Sequence, residues 1–372
     1  MPAQPTDTPS TPPRVLVAMS GGVDSSVAAA LLLEQGWTVI GATLRLHPCE
    51  EPEPERFCCG VDAELAAKAC CQRLGIEHHV VSAGVPFEDW VLRPAWEAYA
   101  QGLTPSPCPL CNRDLKLGVL MDTALALGAS HVATGHYARV GGTREHRTLL
   151  RGLDSNKDQS YFLFDLTTEQ LARCVFPLGV HDKPTVRTMA ARLGLVNAQR
   201  RSSQDACLQG RDGQPFAELL RQRFGAPART GEIVDEQGSV LGRHRGLHLF
   251  TRGQRRGLGV ALGRPAYVLH IDSETARVTV TTRPEALLAA GLVAERPNWL
   301  APPPEPGVSF ECEAQVRYRA APVRCACVLR DDGTLELTFA SPQRAVTAGQ
   351  AVVLYEGERV LGGAWISRPV VS

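Results

Sequence analysis

The chain has 372 residues with 39 basic and 39 acidic side chains, so it is too long for one ordinary domain, and its zero formal charge argues against blanket nucleic-acid binding while leaving local patches open. No apolar run reaches the ~20 residues of a membrane span, and the opening MPAQPTDTPSTPPR lacks the charged and apolar regions of a secretory signal, so residues 1–13 are expected to form a disordered tail. Twelve cysteines without such a signal fit a reducing, cytoplasmic setting, where thiols serve catalysis or metal binding more often than structural bridges.

Residues 15–18 form a short apolar run that meets Ser20-Gly21-Gly22-Val23-Asp24-Ser25-Ser26, and an alanine- and leucine-rich helical pattern follows at 27–35. A strand that ends in a glycine turn and opens a helix presents backbone N–H groups and hydroxyls at the positive end of a helix dipole, which is a place for phosphate. The spacing is neither that of a Walker A loop nor GxGxxG. SGGxDS resembles instead the pyrophosphate loop of enzymes that split ATP between its α- and β-phosphates to adenylate an oxygen. Further strands are predicted at 39–44, 79–82 and 131–134, alternating with helices at 63–74 and 115–127. That alternation predicts a parallel sheet covered on both faces, with ligands at the carboxyl ends of its strands. Cys58-Cys59 and Cys70-Cys71 are adjacent pairs whose side chains diverge, and they read as buried thiols in helix packing.

Cys108-Pro109-Leu110-Cys111-Asn112 follows Pro105-Ser106-Pro107 in a proline-bounded loop, ahead of a helix expected to begin near Asp114. A thiol close to a helix N-terminus is shifted toward thiolate by the dipole. Cys207 closes Ser202-Ser203-Gln204-Asp205-Ala206-Cys207, behind Arg200 and Arg201, whose cations again favour thiolate. Two separate activated thiols in a cytosolic ATP-using domain point to sulfur transfer. CxxC alone also fits a redox pair or half a zinc site. Thr134-Gly135-His136 closes a strand where nucleotide should lie, with Gly135 allowing close backbone approach and His136 able to face the substrate. Asn156-Lys157-Asp158-Gln159-Ser160 puts a cation, an acid and an amide on a loop.

From 212 the pattern changes to a short helix at 216–224 and β patterns at 231–234, 247–251, 267–271 and 277–281. From about 286 a proline-rich connector containing Pro297, Pro302, Pro303, Pro304 and Pro306 precedes strands at 310–317, 325–329, 335–339 and 351–355, which predict a small barrel. Arg243, Arg245, Arg252, Arg255 and Arg256, with His244, His248 and no acidic residue among them, form either a phosphate-contacting stretch or a solvated basic face. Arg317-Tyr318-Arg319 offers guanidinium and aromatic planes suited to unstacked bases.

With AMSGGVDSS, PCPLCNRDLK, ATGHYAR, NKDQSYFL, SSQDAC, GLHLFTRGQRRGLG, VRYR and QRAVTAGQAVVLYEGERVLGG in order between about 14 and 366, the chain resembles the tRNA-specific 2-thiouridylase family, which thiolates the wobble uridine of certain tRNAs. The resemblance implies an α/β fold. A parallel-sheet PP-loop ATP pyrophosphatase domain, adenine nucleotide α-hydrolase-like, would span 14–211, followed by a small central tRNA-contacting domain at 212–285 and a C-terminal β-barrel at 286–372. It implies that Ala18, Met19, Ser20, Gly21, Gly22, Val23, Asp24 and Ser25 surround ATP, with Leu44 and Gly135 near the adenosine and Mg²⁺ screening the phosphates. Cys111 would be the nucleophile and Cys207 the bearer of a persulfide sulfur delivered by a donor protein, a sulfur relay or a cysteine desulfurase. Ser106, Pro107 and Cys108 fall where the family contacts the target base, and His136, Lys157, Asp158, Gln159, Arg317, Tyr318 and Gln350 where it touches tRNA. The family often has Asp three residues before the nucleophile, where this chain has Cys108. Cys108, Cys111 and Cys207 could therefore instead hold a [4Fe–4S] cluster. An amide-forming synthetase would share the glycine loop but not the cysteine dependence, and a nucleotide-gated RNA-binding protein would convert no ATP to AMP.

Overall fold

The computed structural model describes residues 12–46, 61–143, 146–198 and 214–371. The chain folds into two compact units. One comprises Met1–Val85, Asn112–Ser160 and Thr168–Cys207, the other Pro86–Cys111, Tyr161–Thr167 and Leu208–Ser372. The segment carrying Cys108 and Cys111 belongs to the second unit.

The first unit contains β1 (Arg14–Ala18), α1 (Val23–Glu34), β2 (Thr38–Arg45), α2 (Val61–Leu74), β3 (Glu77–Ser82), β4 (His131–Ala133), β5 (Ala138–Gly142), β6 (Arg147–Arg151) and β7 (Cys174–Val175). Five strands pair in parallel in the order β3-β2-β1-β4-β7, and β5 and β6 form an antiparallel hairpin. Val15, Leu16 and Val17 are fully buried, as the central strand of a sheet covered on both faces must be. Helix α1 is buried nearly all round. Ala29 and Leu32 join Val15 and Val17 on one side, while Val23, Val27 and Ala28 pack with Leu178 and Val186 on the other. A run of small residues suits a helix enclosed this closely. The strand order reverses between β1 and β4, and that switch point opens a crevice at their carboxyl ends. Cys70 and Cys71 lie in the core as expected, and burial together with its neighbour pushes the Cys71 thiol up to about 12. Cys58 and Cys59 lie outside the described residues.

The helix expected near Asp114 starts earlier, at Pro107, where a missing N–H costs nothing. It runs through Pro107–Leu110 into a π-helical stretch, Cys111–Val119, and then Leu120–Ala126. Gln170 Nε2 donates to the carbonyls of Arg113 and Leu117, at 2.7 and 3.0 Å, and so satisfies acceptors that the wider turn leaves open.

In the second unit, β8 (Gly231–Val234), β9 (Val240–His244), β10 (Tyr267–Asp272) and β11 (Arg277–Thr281) form a sheet in the order β10-β11-β8-β9. Its core gathers Ile233, Val268, Val278 and Val280 with Leu247 and Phe250. Residues 247–251 are not a strand. Leu247–Leu249 is a 3₁₀ turn, whose period of three places Leu247 and Phe250 on the same core-facing side. The last six strands are β12 (Leu288–Trp299), β13 (Ser309–Gln315), β14 (Val323–Leu329), β15 (Leu335–Arg344), β16 (Ala351–Glu356) and β17 (Arg359–Val370). They pair antiparallel as β12-β15-β14-β13-β16-β17, and β12 pairs with β17 to close a barrel. The sequence predicts a proline-rich connector from about 286, with Pro297, Pro302, Pro303, Pro304 and Pro306. Pro297 instead sits inside β12, where the register against β17 shifts between Glu295 and Asn298, so the strand tolerates its missing donor at an irregularity.

Leu292, Ala314, Leu337, Val352, Leu354 and Ile366 fill the barrel interior. Truncating Leu354, which is fully buried, should remove about 2–5 kcal/mol from the stability of the barrel. Urea titration of Leu354→Ala, followed by the fluorescence of Trp299 and Trp365, should show the midpoint falling with an unchanged slope.

Candidate active site

In the first unit the site is built around the start of α1. Gly21 has a φ of +70°, and a Cβ there would fall 2.2 Å from the Ala63 carbonyl oxygen, so only glycine makes this turn. Gly22 occupies the N-cap position, and no side chain among the described residues caps the helix. The hydroxyls of Ser25 and Ser26 donate back to the Gly22 carbonyl at 3.0 and 3.3 Å, and Ser20 N donates to Ser25 Oγ at 3.2 Å. The loop thus holds itself together and leaves the helix start without a side-chain cap, an arrangement that suits an anion. Asn197 Nδ2 braces it from behind, donating to Gly21 O and Ser26 Oγ at 3.0 Å each. Met19, at the end of β1, is pinned between the Ala42 carbonyl and the Thr43 hydroxyl on β2, beside Leu44. Gly135, just past β4, lies so close that a Cβ would stand 2.8 Å from Asp24 C and Ser25 N. Ala18 to Ser25 and Gly135 therefore gather at the β1/β4 crevice, while Leu44 stands on the neighbouring strand β2.

Asp24 joins this crevice to two residues that sequence reading did not select. Its Oδ1 accepts from Tyr137 OH at 2.9 Å and from Lys183 Nζ at 2.5 Å, and the ammonium also stands 5.9 Å from the Tyr137 ring centroid. Burial, and then the Asp24 charge, push the Tyr137 hydroxyl up, so it stays a donor. Burial draws the Lys183 ammonium down while Asp24 opposes that shift. Lys183 begins a helix, Lys183–Arg192, capped by Asp182, which accepts from Thr185 N, with Pro184 in the first turn. Asp-Lys-Pro is a legible helix start. The reach of its lysine to a carboxylate 159 residues earlier is not local information.

The remaining first-unit candidates are less open than the sequence suggested. His136 is buried, bonded through Nδ1 to Thr134 Oγ1 at 2.7 Å, and burial with the nearby Lys116 cation pushes it down to about 3, so it is neutral. The Asp158 carboxylate accepts from Gly152 N, Ser160 N and the Ser160 hydroxyl and pairs with Arg151, which fastens its own loop. Gln159 is tied at both ends to Tyr137, its N–H donating to the carbonyl and its Oε1 accepting from the amide. Lys157, half-buried, stands in the turn just ahead of them.

In the second unit Cys108 is half-buried and Cys111 buried, three residues further along the same helix, with Ser106 and Pro107 buried beside them. Gln350 Nε2 donates to the carbonyls of Thr104 and Pro105, at 2.9 and 3.2 Å, and Thr104 N donates to Ala348 O, so the barrel's 345–350 loop grips the segment that leads to Cys108. Tyr318 packs its ring 4.4 Å from Phe162 and 6.1 Å from Tyr161, whose hydroxyl donates to Ala351 O. Arg317 and Arg319 beside it are exposed. Of the basic stretch, Arg243, Arg245, Arg255 and Arg256 are exposed, whereas His244 is buried against the Ala276 carbonyl and His248 against Glu218. Cys207 lies outside the described residues.

The chain matches three families over most of its length. These are the tRNA methyl transferase HUP domain at residues 13–211, the tRNA methyl transferase PRC-barrel domain at 219–282 and the aminomethyltransferase β-barrel domain at 289–366. It is 45% identical over 366 residues to the tRNA-specific 2-thiouridylase of Heliobacterium modesticaldum, covering 95% of this chain and 92% of that one. Identity is 46% over 360 residues to that of a Synechococcus species, covering 96% and 95%, and 45% over 363 residues to that of Chloroflexus aurantiacus, covering 96% and 99%.

Two outcomes follow from this geometry. Gly135→Ala should weaken ATP binding at least ~10-fold, about 1.4 kcal/mol, because its methyl displaces the Asp24–Ser25 peptide; calorimetric titration with ATP measures it, and unchanged affinity would contradict the contact. His136 takes up its proton near pH 6.5 when unfolded but only near 3 when folded. Between these values the unfolded chain binds the extra proton, so stability is complete above about pH 6.5 and declines as pH falls toward 3. Unfolding midpoints of the wild type should drop more steeply over pH 6.5–4 than those of His136→Asn.

Proposed function

The chain belongs to the tRNA-specific 2-thiouridylase family, tRNA sulfurtransferases with a nucleotide-binding HUP domain, and from that premise we propose how its residues thiolate the wobble uridine of tRNA. The observation that carries the proposal is a helix start stripped of side-chain caps, braced by Asn197 and Gly135 and carrying an Asp24 carboxylate anchored to Lys183 and Tyr137. Such a cradle suits the polyphosphate of ATP. A carboxylate at the turn also fits the hard-oxygen preference of Mg²⁺, which would screen pyrophosphate charge.

A uracil carbonyl oxygen is a very poor leaving group, so sulfur cannot replace it directly at neutral pH. In the proposed first step the C2 oxygen attacks the α-phosphorus of ATP, the α–β phosphoanhydride breaks, and pyrophosphate departs into the glycine turn. The α1 amides stabilise the charge that develops there. In the second step the terminal sulfur of a Cys207 persulfide bonds to C2 and AMP leaves with the former carbonyl oxygen. Cys111 thiolate attacks the inner sulfur, which forms a Cys111–Cys207 disulfide and leaves the base as the thione. A reductant restores both thiols, and a persulfide-bearing donor protein reloads Cys207. Positioning is the main demand on the protein, and a base is more easily extruded from an anticodon loop than from a duplex. Exposed Arg317 and the Tyr318 ring are assigned to the RNA, as are Lys157 and the exposed arginines of the 243–256 stretch. Ser106, Pro107 and Cys108 are assigned to the target base. Disulfide exchange moves the sulfur with two cysteines, so the scheme needs no iron–sulfur cluster.

Cys111→Ala and Cys207→Ala should each reduce 2-thiouridine formation to background, by at least ~10³-fold as expected for loss of a nucleophile, while leaving tRNA retention on a filter nearly unchanged. Asp24→Ala should block the earlier step, seen as loss of tRNA-dependent pyrophosphate release. Robust thiolation by either cysteine variant would contradict the assignment.

A further inference from the structure

Three cysteines that the thiolation scheme does not use converge inside the C-terminal barrel. Cys312 on β13 lies directly opposite Cys325 on β14, and Cys327 follows two residues later on the same face. All three side chains are buried among apolar residues such as Leu337, Val352 and Leu354. Their sulfurs stand 3.6 Å apart for Cys312 and Cys325, 3.3 Å for Cys312 and Cys327, and 3.5 Å for Cys325 and Cys327. Buried thiols elsewhere in the chain, such as Cys70 and Cys174, pack as ordinary apolar groups, whereas these three point their sulfurs at one spot.

We propose that Cys312, Cys325 and Cys327 form a binding site for one thiophilic d¹⁰ metal ion, of the zinc or copper(I) kind. The circle through the three sulfurs has a radius of about 2.0 Å, so an ion at the ~2.3 Å of a zinc–thiolate bond stands about 1 Å out of their plane with one coordination position left over. Soft sulfur donors in that number select such ions over magnesium, calcium or manganese. The same closeness excludes an iron–sulfur cube at this spot, because each cysteine of a cube binds a different iron and the sulfurs must spread apart. Charge agrees with a divalent ion. Two thiolates and one thiol around Zn²⁺ make a neutral set, two protons being released to solvent, and a neutral set is what an apolar interior accepts. Cys312, at the rim of the cluster with 9% of its surface exposed, is the side of entry.

The test uses the full-length chain with Cys111→Ser and Cys207→Ser, which removes the thiols of the proposed active site as competitors. After chelator treatment under reductant it is titrated with Cd²⁺, a d¹⁰ probe whose thiolate bonds absorb in the ultraviolet, and separately with Zn²⁺ and Cu⁺. One equivalent should bind, with the ultraviolet absorption of a thiolate-ligated metal. Adding Cys325→Val should cut bound metal at least 10-fold, and adding Cys70→Val should leave it unchanged. X-ray absorption of the zinc-loaded protein counts the sulfurs without any change to the barrel, and three are expected. Two or fewer sulfurs, no stoichiometric binding of any of the three ions, or full binding in the Cys325→Val chain would overturn the proposal.

Discussion

A helix N-terminus serves as an anion site only if its amides are withheld from the protein's own side chains while the backbone that carries them is fixed. That requirement organises the first unit. Ser20, Ser25 and Ser26 have the hydroxyls to cap α1, yet these turn back onto the loop and onto the Gly22 carbonyl. Rigidity comes from elsewhere: Asn197 on the Gly21 carbonyl, Ala63 against Gly21, and Gly135 pressed on the Asp24–Ser25 peptide. Asp24 adds a negative charge at the positive helix end, the favourable sense of the dipole, and is held by one cation and one phenol.

Burial decides the roles of several polar residues around that turn. His136 sits in the strand-end motif where a substrate-facing group is expected, but its desolvated ring is neutral and committed to Thr134. Asp158 and Gln159 spend their hydrogen bonds on the loop that carries them and on Tyr137, which in turn holds Asp24. Gln159 thereby helps to place Tyr137. In the second unit Gln350 acts in the same manner, holding the carbonyls of Thr104 and Pro105 just ahead of the helix with the two cysteines. Side chains held this way give a site a fixed backbone frame.

The barrel makes a parallel point about proline. In sequence Pro297 breaks the run at 288–299 into something unlike a strand, and the region reads as a connector. In the fold the surrounding residues pair with β15 on one side and β17 on the other, and the proline falls at a register shift where no ladder donor is required. The same antiparallel register sets Cys312 across from Cys325. In sequence these are ordinary small apolar residues in alternating strands.

What the sequence determined by itself is whatever rests on short-range periodicity and turn chemistry: the β–glycine turn–α unit at 14–34, the alternation that makes a parallel sheet and the four later strands of a barrel, together with the short motifs it shares with the 2-thiouridylase family. Those signals lie within a few residues of one another, and backbone sterics and hydrophobic patterning act at that range. Only the tertiary structure decided that Lys183 and Tyr137 hold Asp24, that His136 is neutral, that the cysteine helix starts at Pro107, and that three barrel thiols share one point. Each of these depends on which distant segments meet and how much water their meeting removes, and a local pattern carries neither quantity.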